Sequence, residues 1–158
     1  MESVTKIENS AFWGCVNLKT IRGYAGSYAE SYAKEYGYIF EDVEGKITTS
    51  YRTHVQSFGW QNPVTNGAMS GTSGEAKRLE AIQIKLYGEM ANRFDVYYRV
   101  HAQSYGWLGW AKNGEEAGTA GLAKRLEGIQ IVLIPKGGAA PANNYKNIQS
   151  VNTKAYIK

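Results

Sequence analysis

Two histidines, His54 and His101, are the side chains best suited to acid–base chemistry, and each precedes a glutamate, Glu80 or Glu127, by 26 residues. A paired histidine and glutamate can act as a general acid and base. No serine or cysteine nucleophile recurs with either pair in a recognisable motif, and a metal site needs three or four clustered ligands. The residue types therefore favour a structural polar network in a protein that is not an enzyme and holds no metal.

An arginine lies two residues before each glutamate, at Arg78 and Arg125. In an extended strand, Arg78 and Glu80 would point to the same side as the apolar Ile82, and a charge on that side must be paired or hydrogen-bonded. We therefore predict that both glutamates accept hydrogen bonds from a turn backbone, an arginine or a histidine, and so fix the Gly-Thr-x-Gly loop before them. Replacing Glu127 with alanine should then cost about 2–4 kcal/mol of stability.

These residues belong to an internal repeat. Residues 51–86 align without gaps to residues 98–133 at an offset of 47, and 21 of the 36 positions are identical. The stretch after the first tryptophan of each copy differs, at 61–64 and at 108–111. A fixed frame that carries a variable loop is the pattern expected of a binding surface.

Two roles are open for the tryptophans of the repeats. Trp60 and Trp107, each fixed after a glycine, are either the large apolar centre of their repeat or a flat platform for a sugar or peptide. Trp110 lies in the variable stretch of one copy only, which favours a surface contact. The candidate ligand contacts are Trp60, Gln61, Asn62, Trp107, Trp110 and Lys112.

The pattern of apolar residues predicts strands in both copies. Alternation of apolar and polar residues favours a half-buried strand over 47–56 and over 94–103. A second strand should close each copy at 79–86 and at 126–133, with its isoleucines and last leucine on one face. Each copy is therefore expected to hold three to four short strands and to be all-β.

Turn residues separate these strands. Asn66-Gly67 and Asn113-Gly114 predict two-residue hairpins, because a type I′ turn needs positive φ at both positions. The Gly-Thr-x-Gly stretches read as loops, and they lack the Gly-Lys-Ser/Thr ending of a phosphate cradle, so no cofactor is expected. The resulting boundaries are 1–44, 46–89 and 93–135 for three folded segments, and 136–158 for a basic tail or linker with a last strand at its end.

The first 44 residues follow a different pattern. Ser27 and Glu30 form the capping box of a helix whose tyrosines share one stripe, and Gly37 should end it. Tyr38 to Phe40 should follow as a short extended segment. Apolar residues before this helix are spaced like the inward positions of a solenoid coil: Val4, Ile7, Phe12, Leu18 and Ile21.

The string SVTKIENSAFWGCVNLKTI resembles one coil of the BspA-like surface-protein leucine-rich repeat family, and the helix after it resembles the closing cap of such a solenoid. This resemblance implies a buried structural role for Cys15. Because one coil cannot bury its own face, it also implies further coils before residue 1. The expected fold is thus mainly β: a short leucine-rich-repeat solenoid end with one capping helix, then two tandem all-β repeats.

Composition excludes several classes. The chain has 158 residues and a net charge of +4, and its basic residues do not form the concentrated surface that nucleic-acid binding needs. No apolar run reaches the roughly 18 residues of a transmembrane helix. A single cysteine excludes an internal disulfide.

The strings HVQSFGW, NG, GTSG and KRLEAIQIKL, with their second-copy partners, resemble the ChW repeat, the clostridial hydrophobic family with a conserved tryptophan. The resemblance covers about 47–86 and 94–133. It implies an exported protein of a Gram-positive bacterium whose repeats bind polysaccharide or protein at the cell surface. Many members have tryptophan where the first copy has Pro63 and the second has Trp110, which implies weaker binding by the first copy if that tryptophan is the contact.

We therefore expect an extracellular or cell-surface protein that binds or adheres without catalysis. Its expected partner is cell-wall or extracellular polysaccharide, or a surface or host protein, with contacts in the loops at 60–64 and 107–112. Two alternatives stay open: a targeting module of a larger secreted hydrolase, and a purely structural repeat spacer.

Overall fold

The computed structural model describes residues 6–23, 27–42 and 48–158. The chain divides into two compact units, Met1–Lys46 and Ile47–Lys158. Val4 lies outside the described residues, as do the predicted boundary between residues 44 and 46 and the first residue of the strand predicted over 47–56.

The first unit holds one helix between two short strands. Strand β1 (Thr20–Gly23) pairs in parallel with β2 (Ile39–Asp42), and helix α1 (Tyr28–Glu35) connects them. The Ser27 hydroxyl accepts a hydrogen bond from the Glu30 backbone N–H at 3.4 Å, which confirms the predicted helix start. Gly37 adopts a φ of +76° just after the helix, as the predicted stop requires.

A small apolar cluster holds this unit together. Its buried members are Ile21, Tyr32 and Ala33, against which Ile7 and Phe12 pack. The predicted buried role of Cys15 is wrong, because its side chain is exposed. The described residues show a single parallel strand pair with one helix here, and they do not show a leucine-rich-repeat solenoid.

The second unit contains both repeats and the tail. The first repeat forms β3 (Thr49–Val55), β4 (Gly59–Trp60), β5 (Val64–Thr65) and β6 (Leu79–Leu86). Helix α2 (Gly88–Arg93), which the sequence did not predict, connects the repeats. The second repeat forms β7 (Phe94–Ala102), β8 (Gly106–Trp107), β9 (Ala111–Lys112), β10 (Ala117–Thr119) and β11 (Leu126–Pro135). A 3₁₀ turn (Tyr145–Asn147) and β12 (Tyr156–Ile157) follow in the tail.

The strands of this unit form two sheets, and one of them contains strands of both repeats. One sheet has the order β12-β10-β6-β3-β4, with β5 also beside β3, and the other has the order β11-β7-β8, with β9 also beside β7. Strand β10 belongs to the second repeat, yet it pairs antiparallel with β6 of the first, where Ala117 lies opposite Ile82. The repeats are therefore joined through a sheet rather than strung as separate beads.

One apolar core lies between the two repeats. Its fully buried members come from β6, from β7 and from the segments that follow β7: Ile84, Leu86, Val96, Tyr98, Val100, Ala102, Leu108, Ala111 and Ala117. The alternating pattern that predicted β3 and β7 is thereby confirmed, since every second residue of β7 enters the core. The first repeat has polar residues at the matching positions, with Thr49 for Val96 and Gln61 for Leu108.

The Asn-Gly turns have the predicted backbone but not the predicted hairpin. Asn113 and Gly114 have φ values of 49° and 100°, as a type I′ turn requires, and Asn66-Gly67 matches them. The strands that flank Asn113-Gly114 do not pair with each other, because β9 pairs with β7 while β10 pairs with β6. The predicted Gly118-Thr119 loop is thus a strand in the second repeat.

Candidate functional site

A cluster of four side chains covers the outer face of the first repeat, on the side of the sheet away from the core. The Arg52 guanidinium lies 5.0 Å from the ring centroid of Trp60, and its Nε donates to Gln83 Oε1 at 2.5 Å. His54 meets the same indole edge-on, at 5.5 Å between ring centroids and 85° between planes. Alternation along β3 places Arg52 and His54 on this face, while Thr53 and Val55 turn inward.

The second repeat builds the same cluster from the equivalent residues. Arg99 lies 5.4 Å from the Trp107 ring centroid and donates from Nε to Gln130 Oε1 at 2.7 Å. His101 meets Trp107 edge-on at 5.6 Å and 80°. Neither Trp60 nor Trp107 belongs to the apolar core, so the reading of these tryptophans as core centres is wrong.

A β-bulge places each glutamate beside its histidine. The pairing of β3 with β6 slips between His54, opposite Ala81, and Val55, opposite Leu79, which leaves Glu80 as the extra residue. An extra residue reverses the alternation of the strand, so Glu80 joins His54 on the outer face. The prediction that Arg78 and Glu80 share the side of Ile82 is therefore wrong.

The two glutamates have matching partners but different environments. Glu80 accepts a hydrogen bond from Arg78 Nε at 2.8 Å, and its other oxygen lies 3.1 Å from His54 Nδ1. Among the described residues, neither histidine Nδ1 has a partner with hydrogen-bond geometry, so these His–Glu contacts are close approaches rather than hydrogen bonds. The Glu80 side chain is 5% exposed, whereas that of Glu127, beside His101, is 33% exposed.

The tail of the chain lies over the cluster of the second repeat. Arg99 is fully buried because its guanidinium donates to four groups of residues 143–150. Nη1 donates to the Asn143 carbonyl at 2.7 Å and to the Ser150 hydroxyl at 2.5 Å, and Nη2 donates to the Ile148 carbonyl at 2.7 Å. A longer bond of 3.3 Å reaches the Tyr145 carbonyl. All four acceptors are neutral oxygens, and burial lowers the pKa of Arg99.

The candidate contact Trp110 takes part in the same arrangement. Its ring centroid lies 4.6 Å from the Arg99 guanidinium, which also lies 5.4 Å from the ring centroid of Trp107. The indole Nε1 donates to the Ala142 carbonyl at 3.3 Å, and the ring meets Tyr145 edge-on at 5.8 Å. Trp110 thus contacts the chain's own tail.

Backbone hydrogen bonds extend this contact along the loop at 107–112. The Val151 N–H donates to the Trp107 carbonyl, and the Gly109 N–H donates to the Lys154 carbonyl, both at 2.9 Å. A Cβ at Gly109 would lie 2.1 Å from the Thr153 carbonyl oxygen, so only glycine permits this approach. The tail, predicted as a basic tail or linker, packs against the second repeat and adds β12 to the shared sheet.

Lys112, the last candidate contact in this repeat, is held in an ion-pair network. Its Nζ lies 2.9 Å from buried Asp95, which also pairs with Lys136 at 3.0 Å and accepts from Asn113 Nδ2 at 2.8 Å. Hydrogen bonding to Asp95 raises the pKa of Lys112. The bond from Asn113, followed by those from the two lysines and from the Gly137 N–H, holds the pKa of Asp95 far below its usual range.

The matching surface of the first repeat has no such cover among the described residues. Trp60 and Gln61 are half-buried and Asn62 is exposed. Pro63 replaces Trp110, and a shallow cavity of about 140 Å³ lies beside Arg52 there, lined also by Gln83 and Pro63. Among the described residues, no group accepts a hydrogen bond from Nη1 or Nη2 of Arg52.

The sequence reasoning missed Arg52, Arg99 and their glutamine partners as site residues. The signal was present, since both arginines and both glutamines are identical in the two copies and share a strand face with the histidines. The tail acceptors carried no such signal, because they are backbone carbonyls that any residue supplies. Among the described residues, no cluster of three or more His, Cys, Asp or Glu side chains is placed to hold a metal ion.

Comparison with protein families matches residues 54–88 and 101–135 to the ChW family, described as Clostridial hydrophobic W. The chain therefore contains two ChW repeats, which are typically cell-surface repeat modules of Gram-positive bacteria. Comparisons with curated proteins and with solved structures gave no match, and none of the comparisons supports the leucine-rich-repeat resemblance. Within the described ranges, no helix has the length and apolar character needed to cross a membrane.

Proposed function

We propose that this chain, which carries two ChW repeats, is a non-catalytic binding module of the bacterial cell surface. Its ligand binds the outer face of the first repeat, around Arg52 and Trp60. The ligand is an oxygen-rich neutral group of a cell-wall polysaccharide or of a surface protein. The observation that supports this most is that two equivalent clusters exist, of which one is filled by the chain's own tail.

The filled cluster indicates what the open one can hold. Arg99 binds three backbone carbonyls and one hydroxyl, and none of these acceptors is charged. Guanidinium groups present their N–H donors in a fixed planar fork, and they also stack on aromatic rings. Arg52 has the same glutamine and the same tryptophan, so its two Nη groups point a similar fork at an incoming ligand.

The tail cannot fill the first repeat in the same way. The close approach of the Thr153 carbonyl needs glycine at position 109, and the first repeat has Asn62 there. Pro63 in place of Trp110 removes the ring that covers the guanidinium of the second repeat. These two differences keep the first cluster open to another molecule. This proposal therefore differs from the expectation of weaker binding by this copy, which applied only if the tryptophan at the position of Pro63 is the contact.

A sedimentation assay tests this proposal. The chain is incubated with insoluble peptidoglycan, purified wall polysaccharide, cellulose or immobilised host matrix protein, and the bound fraction is measured over a range of protein concentrations. We expect saturable binding to one of these, with at least a tenfold weaker Kd for the double variant Trp60→Ala, Arg52→Gln, because stacking and a charged hydrogen bond together contribute more than about 1.4 kcal/mol.

Two controls separate lost contact from lost fold. Trp13→Ala removes the exposed tryptophan of the first unit and should bind as the wild type does. Trp60→Ala should keep the far-UV circular dichroism spectrum of the wild type. Binding that Trp60→Ala and Arg52→Gln leave unchanged would refute the proposed surface. An absence of binding to every probe would favour the structural spacer.

A further inference from the structure

Strand β11 of the second repeat carries an apolar stripe that is only half covered. Its residues Ile129, Ile131 and Leu133 are 44%, 53% and 46% exposed. The equivalent residues of β6 include Ile84 and Leu86, which are only 7% and 6% exposed. The sequence is nearly the same in both strands, so the difference lies in what covers them.

The second repeat covers both the stripe and the edge of β6, and the stripe residues Ile84 and Leu86 lie in the core cluster with Val96 and Tyr98. Strand β10 pairs antiparallel along the edge of β6, where Gly118 lies opposite Ala81 and Ala117 lies opposite Ile82. The approach is close, since a Cβ on Gly118 would lie 2.4 Å from the Glu80 carbonyl oxygen. In the described part of the chain β11 pairs with β7 alone, so its other edge and its stripe lack this cover.

The first repeat carries a matching segment that pairs with no strand among the described residues. Residues 70–72 correspond to β10 at the offset of 47, and Gly71 already has a φ of +115°, close to the +125° of Gly118. The Ser70 hydroxyl is bonded to Thr53 Oγ1 at 3.0 Å, so burying it would leave no unsatisfied polar group. The segment is therefore preformed for the pairing that β10 makes.

We propose that a second copy of this chain docks on β11 through its own residues 70–72. The contact repeats the one between the two repeats of a single chain, with Ser70 of one copy opposite Ile129 of the other. The second repeat offers the strand edge and the first repeat offers the pairing segment, so the two contact surfaces differ. Such a head-to-tail contact closes into a ring or extends into a filament, according to the rotation between copies.

The apolar surface near the stripe favours a covered state. An open cleft of about 420 Å³ lies beneath it, lined by Ile131 and Leu133 on one side and by Ile84, Leu86 and Tyr51 on the other. Contiguous exposed apolar surface beside an unpaired strand edge is a feature of interaction sites. This inference does not depend on the ligand proposed for the outer face.

Engineered cysteines test the register of the contact. In a Cys15→Ser background, one preparation carries Ser70→Cys and the other, labelled with ¹⁵N, carries Ile129→Cys. After mixing and mild oxidation, mass spectrometry should find the mixed disulfide in excess over both like-with-like disulfides. Residues directly opposite in an antiparallel pair are within disulfide reach. Ile131→Cys, two positions along, should cross-link to Ser70→Cys poorly.

Sedimentation equilibrium tests the association without cysteines. The weight-average mass of the wild type should rise above the monomer mass of 17.5 kDa as concentration increases. Ile129→Lys should hold the mass at that of the monomer, whereas Val16→Lys, at an exposed apolar site of the first unit, should associate as the wild type does. A wild type that stays monomeric at every concentration, or association that Ile129→Lys leaves unchanged, would overturn the proposal.

Discussion

The equivalent glutamates of the two repeats, Glu80 and Glu127, lie in different environments. Glu80 is buried between Arg78 and His54, while Glu127 is one-third exposed beside Arg125 and His101. The sequence predicted a large loss of stability on replacing Glu127 with alanine. The structure instead indicates that the larger loss should follow the replacement of Glu80. The difference arises because the second repeat lies over Glu80, with Gly121 and Ala123 beside it.

We predict that Glu80→Ala lowers the free energy of unfolding by about 2 kcal/mol, because it leaves Arg78 without its buried counter-charge. The matched change Glu127→Ala should cost less than about 1 kcal/mol, as exposed pairs do. Urea unfolding followed by fluorescence in a Trp13→Phe background reports on the second unit alone. Equal losses for the two variants would contradict this account.

Asp95 gives the second unit a defined dependence on pH. Its pKa is held far below the usual range in the folded state, so its ionised form contributes stability above the unfolded value near 4. That contribution disappears as the pH falls through the folded pKa. Asp95→Asn should therefore lower the Tm at pH 7, and the gap to the wild type should narrow below about pH 4. A gap that stays constant down to pH 2 would exclude this role.

One side chain, Arg99, holds residues 143–150 of the tail through four hydrogen bonds. Arg99→Lys keeps the charge but loses the planar fork that reaches four acceptors. Losing even one charge-assisted hydrogen bond costs about 1.5–3 kcal/mol. The tail should therefore detach about tenfold more often or more, and trypsin cleavage after Lys146 should accelerate by the same factor. Arg52→Lys is the matched control in the first repeat and should leave this rate unchanged. Limited proteolysis with mass spectrometry measures both, and equal acceleration would show that Arg99 does not hold the tail.

The sequence was informative about elements whose cause is local. The helix at Ser27, the strands β3, β6, β7 and β11, and the Asn-Gly turns follow from capping, alternation and turn chemistry. It failed where the cause is tertiary. The strand character of Gly118-Thr119 comes from β6 of the other repeat, and the shift of Glu80 comes from a bulge. The covered state of Trp110 comes from backbone groups of the tail.

At the scale of the whole molecule, the two repeats have similar sequences but different surroundings. One outer face is closed by the tail and the other is open, while one closing strand is covered and the other is half exposed. The second repeat covers the closing strand of the first, and the tail covers the outer face of the second. The open outer face of the first repeat is the surface on which the proposed binding function rests.

The most direct test leaves Trp60 as the single tryptophan by replacing Trp13, Trp107 and Trp110 with phenylalanine. Its emission is followed during titration with solubilised peptidoglycan, wall polysaccharide and a host matrix protein, beside a second chain that keeps Trp107 alone. We predict a saturable change in Trp60 emission with one of these probes and none in Trp107 emission. A response from Trp107 while Trp60 stays silent would contradict the account, because the ligand would then bind the face that the tail covers.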